Sequence, residues 1–297
     1  MAAASASRPR LSLRSRRRLL PYLLLTPGLA WLLVFFAIPA LIQANVSLWS
    51  GSLEMGYVFD WNWSSYGEAV ATYKPQFLRS FAYAAAATVL AFVISFPLAY
   101  FIAFKAGRFK NLMLLLIVLP FFTSYLVRTV AWQTILADGG FVVSALQSLG
   151  LVSDGGRLLA TTTSVVAGIT YNFLPFMALP LYVSLEKIDK RLIEAATDLY
   201  ASSFAAFRKV TLPLALPGIF AGSLLTFIPA SGDFINAQLL GGPRQTMIGN
   251  VIQSKFLVIT DYPEAAALSF ILMAVILAAV LLYARALGTR TLTESAV

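Results

Sequence analysis

Six uncharged stretches dominate the hydrophobic pattern, covering residues 19–53, 80–104, 111–127, 158–185, 210–232 and 265–284. Crossing about 30 Å of hydrocarbon takes about 20 apolar residues as a helix, because inside lipid only helices or closed barrels satisfy the backbone. The pattern therefore predicts an all-α membrane protein with six transmembrane helices. The third stretch is too short by itself. It becomes long enough if the helix continues through Arg128 to about residue 136, which places that arginine in or near the membrane.

The polar segments set the expected direction. Short loops rich in lysine and arginine stay on the cytoplasmic side. A cytoplasmic start puts Arg8, Arg10, Arg14, Arg16, Arg17, Arg18, Lys105, Arg108, Lys110, Lys187, Lys190, Arg191, Arg208, Lys209, Arg285 and Arg290 inside, and Lys74, Arg79, Arg157, Arg244 and Lys255 outside. Both termini are thus expected in the cytoplasm. The chain divides into a basic tail (1–18), a first helix with its outer loop (19–77), a core of five helices (78–287) and a short C-terminal tail (288–297).

Composition narrows the chemistry. The chain of 297 residues is 59% hydrophobic and 12% charged, with a formal charge of +9. That charge reads as topology and contact with anionic headgroups, and nucleic acid is not an expected partner. Cysteine and histidine are absent, which removes thiol nucleophiles, histidine bases and the usual zinc sites. There is no Gly-x-Ser-x-Gly elbow to support an intramembrane enzyme. The Arg16-Arg17-Arg18 run before an apolar stretch has the look of a twin-arginine export signal. The stretch after it is long and carries Trp31, Phe35 and Phe36 with no clear cleavage site, so an uncleaved first helix is expected.

The first outer loop, residues 49–79, holds Trp49, Tyr57, Trp61, Trp63, Tyr66 and Tyr73 with Glu54, Asp60 and Glu68. These aromatics suit an interfacial belt, or a docking surface for an external partner. A glycine-rich outer loop, residues 137–159, has room for a short helix near 141–149. Pro97, Pro120, Pro175, Pro180, Pro217 and Pro229 each remove a helical hydrogen bond, so kinks are expected. Gly218 and Gly222 allow close backbone approach, within the chain or to a partner.

Between the fourth and fifth spans lies a charged cytoplasmic loop, residues 186–211. It opens with Glu194-Ala195-Ala196 and ends in Val210, Leu212 and Pro213. This order and placement resemble the EAA signature of ABC importer permeases. Gly107-Arg108-Phe109-Lys110-Asn111, Leu126-Val127-Arg128-Thr129, residues 171–176 and Gly232-Asp233-Phe234 with residues 239–243 are similar to permeases of the spermidine/putrescine type.

The resemblance implies a type I importer permease with a MetI-like fold in the cytoplasmic membrane. It also implies a second homologous permease, two ABC ATPase subunits and an extracytoplasmic solute-binding protein. This chain has no Gly-x-x-x-x-Gly-Lys-Ser/Thr loop for nucleotide phosphates, so no cofactor is expected in it, and ATP and Mg belong to the ATPases. The coupling role falls to Glu194, Ala195, Ala196, Asp198, Tyr200, Ala201, Phe204, Phe207 and Arg208. Two residues depart from the signature, Val210 for isoleucine and Tyr200 for glycine. Glycine there permits positive φ, and a tyrosine is expected to move the turn to another conformation, with its phenol on the ATPase.

Charges within the membrane are costly unless paired or facing water. Asp233, ending the fifth span, is expected to attract a diffusing polycation, with Tyr125, Trp132, Tyr171, Phe173 and Phe234 adding cation-π contacts. The competing reading is a structural ion pair of Asp233 with Arg128. The expected activity is import of a small solute, with polyamine as the leading substrate. Another solute, or an autonomous channel or secondary transporter, is the alternative.

Overall fold

Apolar runs fold into long helices here because lipid leaves the backbone no other partner than itself. A computed structural model of the chain describes residues 13–150, 153 and 155–294. Two compact units divide at Trp63/Ser64. The tail residues 1–12, with the arginines expected inside at 8 and 10, lie outside the described residues.

In the first unit, α1 (Leu13–Leu32) passes through a π-helical turn, Leu33–Ala37, into α2 (Ile38–Val46). A hairpin follows, with β1 (Trp49–Ser52) antiparallel to β2 (Gly56–Phe59) and Trp49 opposite Phe59. The Trp49 indole donates to Asn45 Oδ1 at 2.9 Å and the Ser50 hydroxyl to Asp60 at 3.1 Å. The expected outer loop is therefore only partly a loop. Tyr66, Glu68 and Tyr73 belong to the helix that starts the second unit at Ser64 and continues through Pro75 and Pro97.

That helix, α3 (Ser64–Phe104), has 41 residues and is about 60 Å long. After it come α4 (Lys110–Val118), a 3₁₀ turn Leu119–Phe122, α5 (Tyr125–Ile135) and α6 (Phe141–Ser148). The chain continues through α7 (Thr162–Glu186), α8 (Lys190–Asp198), α9 (Ser203–Ala206), a π turn Phe207–Thr211 and α10 (Leu212–Ser231). It closes with α11 (Ile235–Leu240), α12 (Ile248–Leu257) and α13 (Tyr262–Glu294).

Among the described residues, five helical segments are long and apolar enough to cross a membrane, and the bent pair Gly107–Phe122 and Tyr125–Ile135 supplies a sixth if it counts as one span. The third span is not the straight helix expected from the sequence. Pro120 sits in a 3₁₀ turn, Thr123 and Ser124 are extended (ψ 142° and 140°), and the two halves meet at 95°.

Helices α3, α7 and α10 pack on one another. Hydrophobic burial gives little drive inside lipid, so close van der Waals contact between small residues does the work. Ala84, Ala87, Ala91 and Ala99 on α3 are fully buried. On α10, a methyl at Gly218 would stand 2.6 Å from the Pro180 carbonyl, and one at Gly222 would stand 2.9 Å from Met177 Sδ. The Gly-x-x-x-Gly pair thus packs within the subunit, against α7.

The start of α7 is capped by Thr161, whose Oγ1 accepts from the Ser164 N–H at 3.3 Å, while Ser164 Oγ donates to the Leu240 carbonyl at 2.8 Å. That bond pins the end of α11 to the start of α7. Its other end is tied by Glu186 to Lys110, whose ammonium lies 5.4 Å from the Tyr182 ring. Between α12 and α13, Lys255 is paired with Asp261 and Glu264. Burial pulls the Lys255 ammonium down, but the hydrogen bonds and charges of those carboxylates outweigh it and hold it above the ordinary lysine range.

Candidate functional site

Two places bring chemistry-bearing residues together. The first is the segment between α7 and α10. Asp189 starts α8 by accepting from the Arg191 N–H at 3.0 Å, and Ser202 starts α9 by accepting from the Ala205 N–H at 3.2 Å. The end of α8 is a Schellman motif: the Ala201 N–H reaches the Ala196 carbonyl at 3.1 Å and the Tyr200 N–H reaches the Thr197 carbonyl at 3.0 Å.

This geometry corrects the expectation for Tyr200. The turn keeps the left-handed conformation that glycine would adopt, with φ +60°. Both Schellman bonds need that conformation, and they offset the roughly 1–2 kcal/mol that a Cβ costs there. The phenol is 99% exposed and packs on none of the described residues, and Leu199 and Phe204 beside it are 82% and 70% exposed. Glu194, Ala195, Asp198 and Arg208 are also exposed. Ala196 and Ala201 are half-buried. Phe207 turns inward instead, edge-on to Phe96 at 5.7 Å and near Tyr100 at 6.3 Å, so it joins the segment to α3.

The second place is a buried polar cluster where α5, α7 and the α10–α11 junction meet. Asp233 caps α11 by accepting from the N–H groups of Ile235 at 2.9 Å and Asn236 at 3.2 Å. Its Oδ2 also accepts from Asn236 Nδ2 at 2.5 Å and from the Tyr125 hydroxyl at 2.8 Å. Asn236 Nδ2 lies 2.6 Å from that hydroxyl as well, and Asn172 Nδ2 bridges Thr129 Oγ1 and Asn236 Oδ1, both at 3.2 Å. Gly168 makes this closeness possible, since a Cβ there would stand 2.7 Å from Asn236 Oδ1.

The expected ion pair of Asp233 with Arg128 does not form. Four donors from protein already occupy the carboxylate. Arg128 leans toward the N-terminal end of its helix, as helical side chains do, and lies over the Phe121 ring at 5.0 Å and the Tyr125 ring at 5.6 Å. It is 9% exposed, and its Nε and Nη1 have no hydrogen-bond partner among the described residues.

Aromatic rings from α5, α7 and the turn before α5 pack on one another. Tyr125 lies 6.1 Å from Phe173, Trp132 lies 5.4 Å from Tyr171, and Phe176 links Phe173 at 6.0 Å to Phe121 at 5.1 Å. Phe234 is held to α12 instead, its carbonyl accepting from Asn250 at 2.8 Å. Sequence reasoning missed Thr129, Asn172 and Asn236 as members of the site. An asparagine amid an apolar span must find hydrogen bonds, which was the signal for Asn172, and the Asp-x-x-Asn spacing of a helix cap was the signal for Asn236.

Comparison with known proteins agrees with this architecture. Residues 95–291 match the family described as "Binding-protein-dependent transport system inner membrane component". The spermidine/putrescine transport system permease protein PotB of Haemophilus influenzae is 36% identical over 258 residues, covering 86% of this chain and 90% of that protein. PotB of Escherichia coli is 36% identical over 260 residues, covering 86% and 94%. The inner membrane ABC transporter permease protein YdcU of Escherichia coli is 38% identical over 217 residues, covering 69% and 68%. Among solved structures, a bacterial ABC transporter involved in import of the acidic polysaccharide alginate shares the fold, with a TM-score of 0.67, 20% identity, and 94% and 98% of the two chains covered. The same kind of transporter in complex with its alginate pentasaccharide-bound periplasmic protein aligns with a TM-score of 0.69 and 20% identity, over 92% and 95%. The chain belongs to the binding-protein-dependent transport system inner membrane components and is a multi-pass permease subunit of an ABC importer in the cell inner membrane.

Proposed function

We propose that the chain forms one side of a polyamine import pathway, carrying a spermidine- or putrescine-like cation delivered by a solute-binding protein. The second side is a homologous permease. Two ATPase subunits bind ATP and Mg and dock on the segment around Tyr200, which lies in the cytoplasm together with both termini. Nucleotide-driven closure moves this segment, and the Phe207 contacts with Phe96 and Tyr100 pass the movement to α3. Each shift in access must come from contacts that differ between the two states.

The observation that carries the substrate assignment is Asp233, a buried carboxylate that among the described residues is held by four neutral donors and by no cation, so its negative charge is left unpaired, with Tyr125 bonded to it and Phe173 6.1 Å from the Tyr125 ring. Intramembrane carboxylates mark cation routes, and aromatic faces attract ammonium groups. The likeness to PotB over 86% of the chain supports the same substrate class. Uptake of radiolabelled putrescine by the reconstituted complex tests this. Asp233→Asn is expected to cut uptake at least about tenfold, a loss of about 1.4 kcal/mol, while the ATPases still co-purify. Unchanged uptake would remove Asp233 from the pathway.

A further inference from the structure

We propose that Arg128 weakens the hold of Asp233 on a passing cation, so that the cation is released rather than trapped. The proposal rests on the reading of Asp233 as a pathway residue and names what tunes its affinity. Arg128 is a charge sealed inside the protein, since it is 9% exposed and its Nε and Nη1 have no hydrogen-bond partner among the described residues. The ion pairs of its compact unit lie elsewhere, joining Glu186 to Lys110, Asp138 to Arg157, and Asp261 and Glu264 to Lys255. The rings of Phe121 and Tyr125 hold the guanidinium instead, at 5.0 and 5.6 Å. An arginine does not shed its proton, so this one acts by its field and not by contact.

That field reaches Asp233 through one side chain. Arg128 lies on the ring of Tyr125, whose hydroxyl donates to Asp233 Oδ2 at 2.8 Å. Buried charges are little screened by salt. At an effective dielectric constant of about 20, two unit charges about 10 Å apart interact strongly enough to change a binding constant about tenfold. A conducting site must bind well enough to admit its ion and weakly enough to let it leave. Opposite charges on the two sides of Tyr125 meet both demands: the carboxylate draws an ammonium group in, and the guanidinium limits how long it stays. The repulsion grows with the charge of the cation, so trivalent spermidine is held back more than divalent putrescine.

The test combines equilibrium dialysis of radiolabelled putrescine and spermidine against the membrane complex of permeases and ATPases with uptake by that complex in liposomes. Arg128→Met is expected to tighten binding about tenfold, more for spermidine than for putrescine, while the maximal uptake rate falls. Arg128→Lys keeps the charge and is expected to stay close to the unaltered protein in both assays. Arg128→Gln reads the same loss of charge should the methionine variant fold poorly. Binding that is unchanged or weaker in the neutral variants overturns the proposal. So does tightening that is equal for the two cations, which leaves Arg128 a packing residue under the rings. If Asp233→Asn alters neither binding nor uptake, the pathway reading fails first; if it weakens binding while Arg128→Met changes nothing, only the role of Arg128 fails.

Discussion

Replacing Tyr125 by phenylalanine isolates one oxygen of the polar cluster. The hydroxyl donates to Asp233 at 2.8 Å and lies 2.6 Å from Asn236 Nδ2. Its ring also faces Arg128 at 5.6 Å, and a phenylalanine keeps that contact. The substitution therefore removes a charge-assisted hydrogen bond and leaves Asp233 with three donors, at 2.5, 2.9 and 3.2 Å. A bond to a charged group is worth about 1.5–3 kcal/mol. At about 2–4 °C per kcal/mol for a unit of this size, the melting midpoint should fall by about 3–12 °C. Intrinsic fluorescence of the purified permease in lipid nanodiscs reads this directly. In a double-mutant cycle, Asp233→Asn should absorb most of the loss, since the two changes act on one bond. A midpoint that does not move, or losses that add fully, would refute the claim that Tyr125 holds the carboxylate.

Other expectations follow from single residues. Tyr200→Gly relieves about 1 kcal/mol of left-handed strain, so the chain's own melting midpoint should hold or rise while ATPase affinity falls; a tighter ATPase complex would instead mark the tyrosine as strain. Gly168→Ala puts a methyl 2.7 Å from Asn236 Oδ1 and should cost about 1–3 kcal/mol by overpacking, with uptake reduced along with stability; no change in either would contradict the close approach of α7 to α11. Lys255→Met should lower the melting midpoint by a few degrees, equally at pH 6 and pH 9. The folded ammonium titrates above its unfolded value, so its contribution is complete below about pH 10.4 and fades only as pH rises through the folded value. A loss that shrinks between pH 6 and pH 9 would contradict that pairing.

Much of the fold was legible because lipid enforces a simple rule, that uncharged stretches of sufficient length become helices. The start of α3 at Ser64 was hidden, since Tyr66, Glu68 and Lys74 are polar or amphipathic and helix formation there owes nothing to hydrophobic length. The break before α5 was half legible. Pro120 announced a disturbance, but the 95° turn depends on the extended backbone at Thr123 and Ser124. At the site, Asp233 stood out as a charge at a membrane end, whereas its real partners lie 3, 108 and 2 residues away in the chain, at Asn236, Tyr125 and Ile235. No local pattern encodes the middle one. Tyr200 shows the opposite case: the signature glycine's conformation survives its replacement, because the Schellman hydrogen bonds are made by backbone that any residue supplies.

The claim on which the account turns is that the exposed turn at Tyr200 meets an ATPase in the cytoplasm. The chain has no cysteine, so Tyr200→Cys gives a single reactive thiol. In intact cells co-expressing the complex, this thiol should resist a membrane-impermeant maleimide added outside. In inverted vesicles, a maleimide–benzophenone reagent attached to it should photo-cross-link to the ATPase, with a yield that changes on adding ATP. Labelling from outside intact cells, with no cross-link in inverted vesicles, would contradict the account.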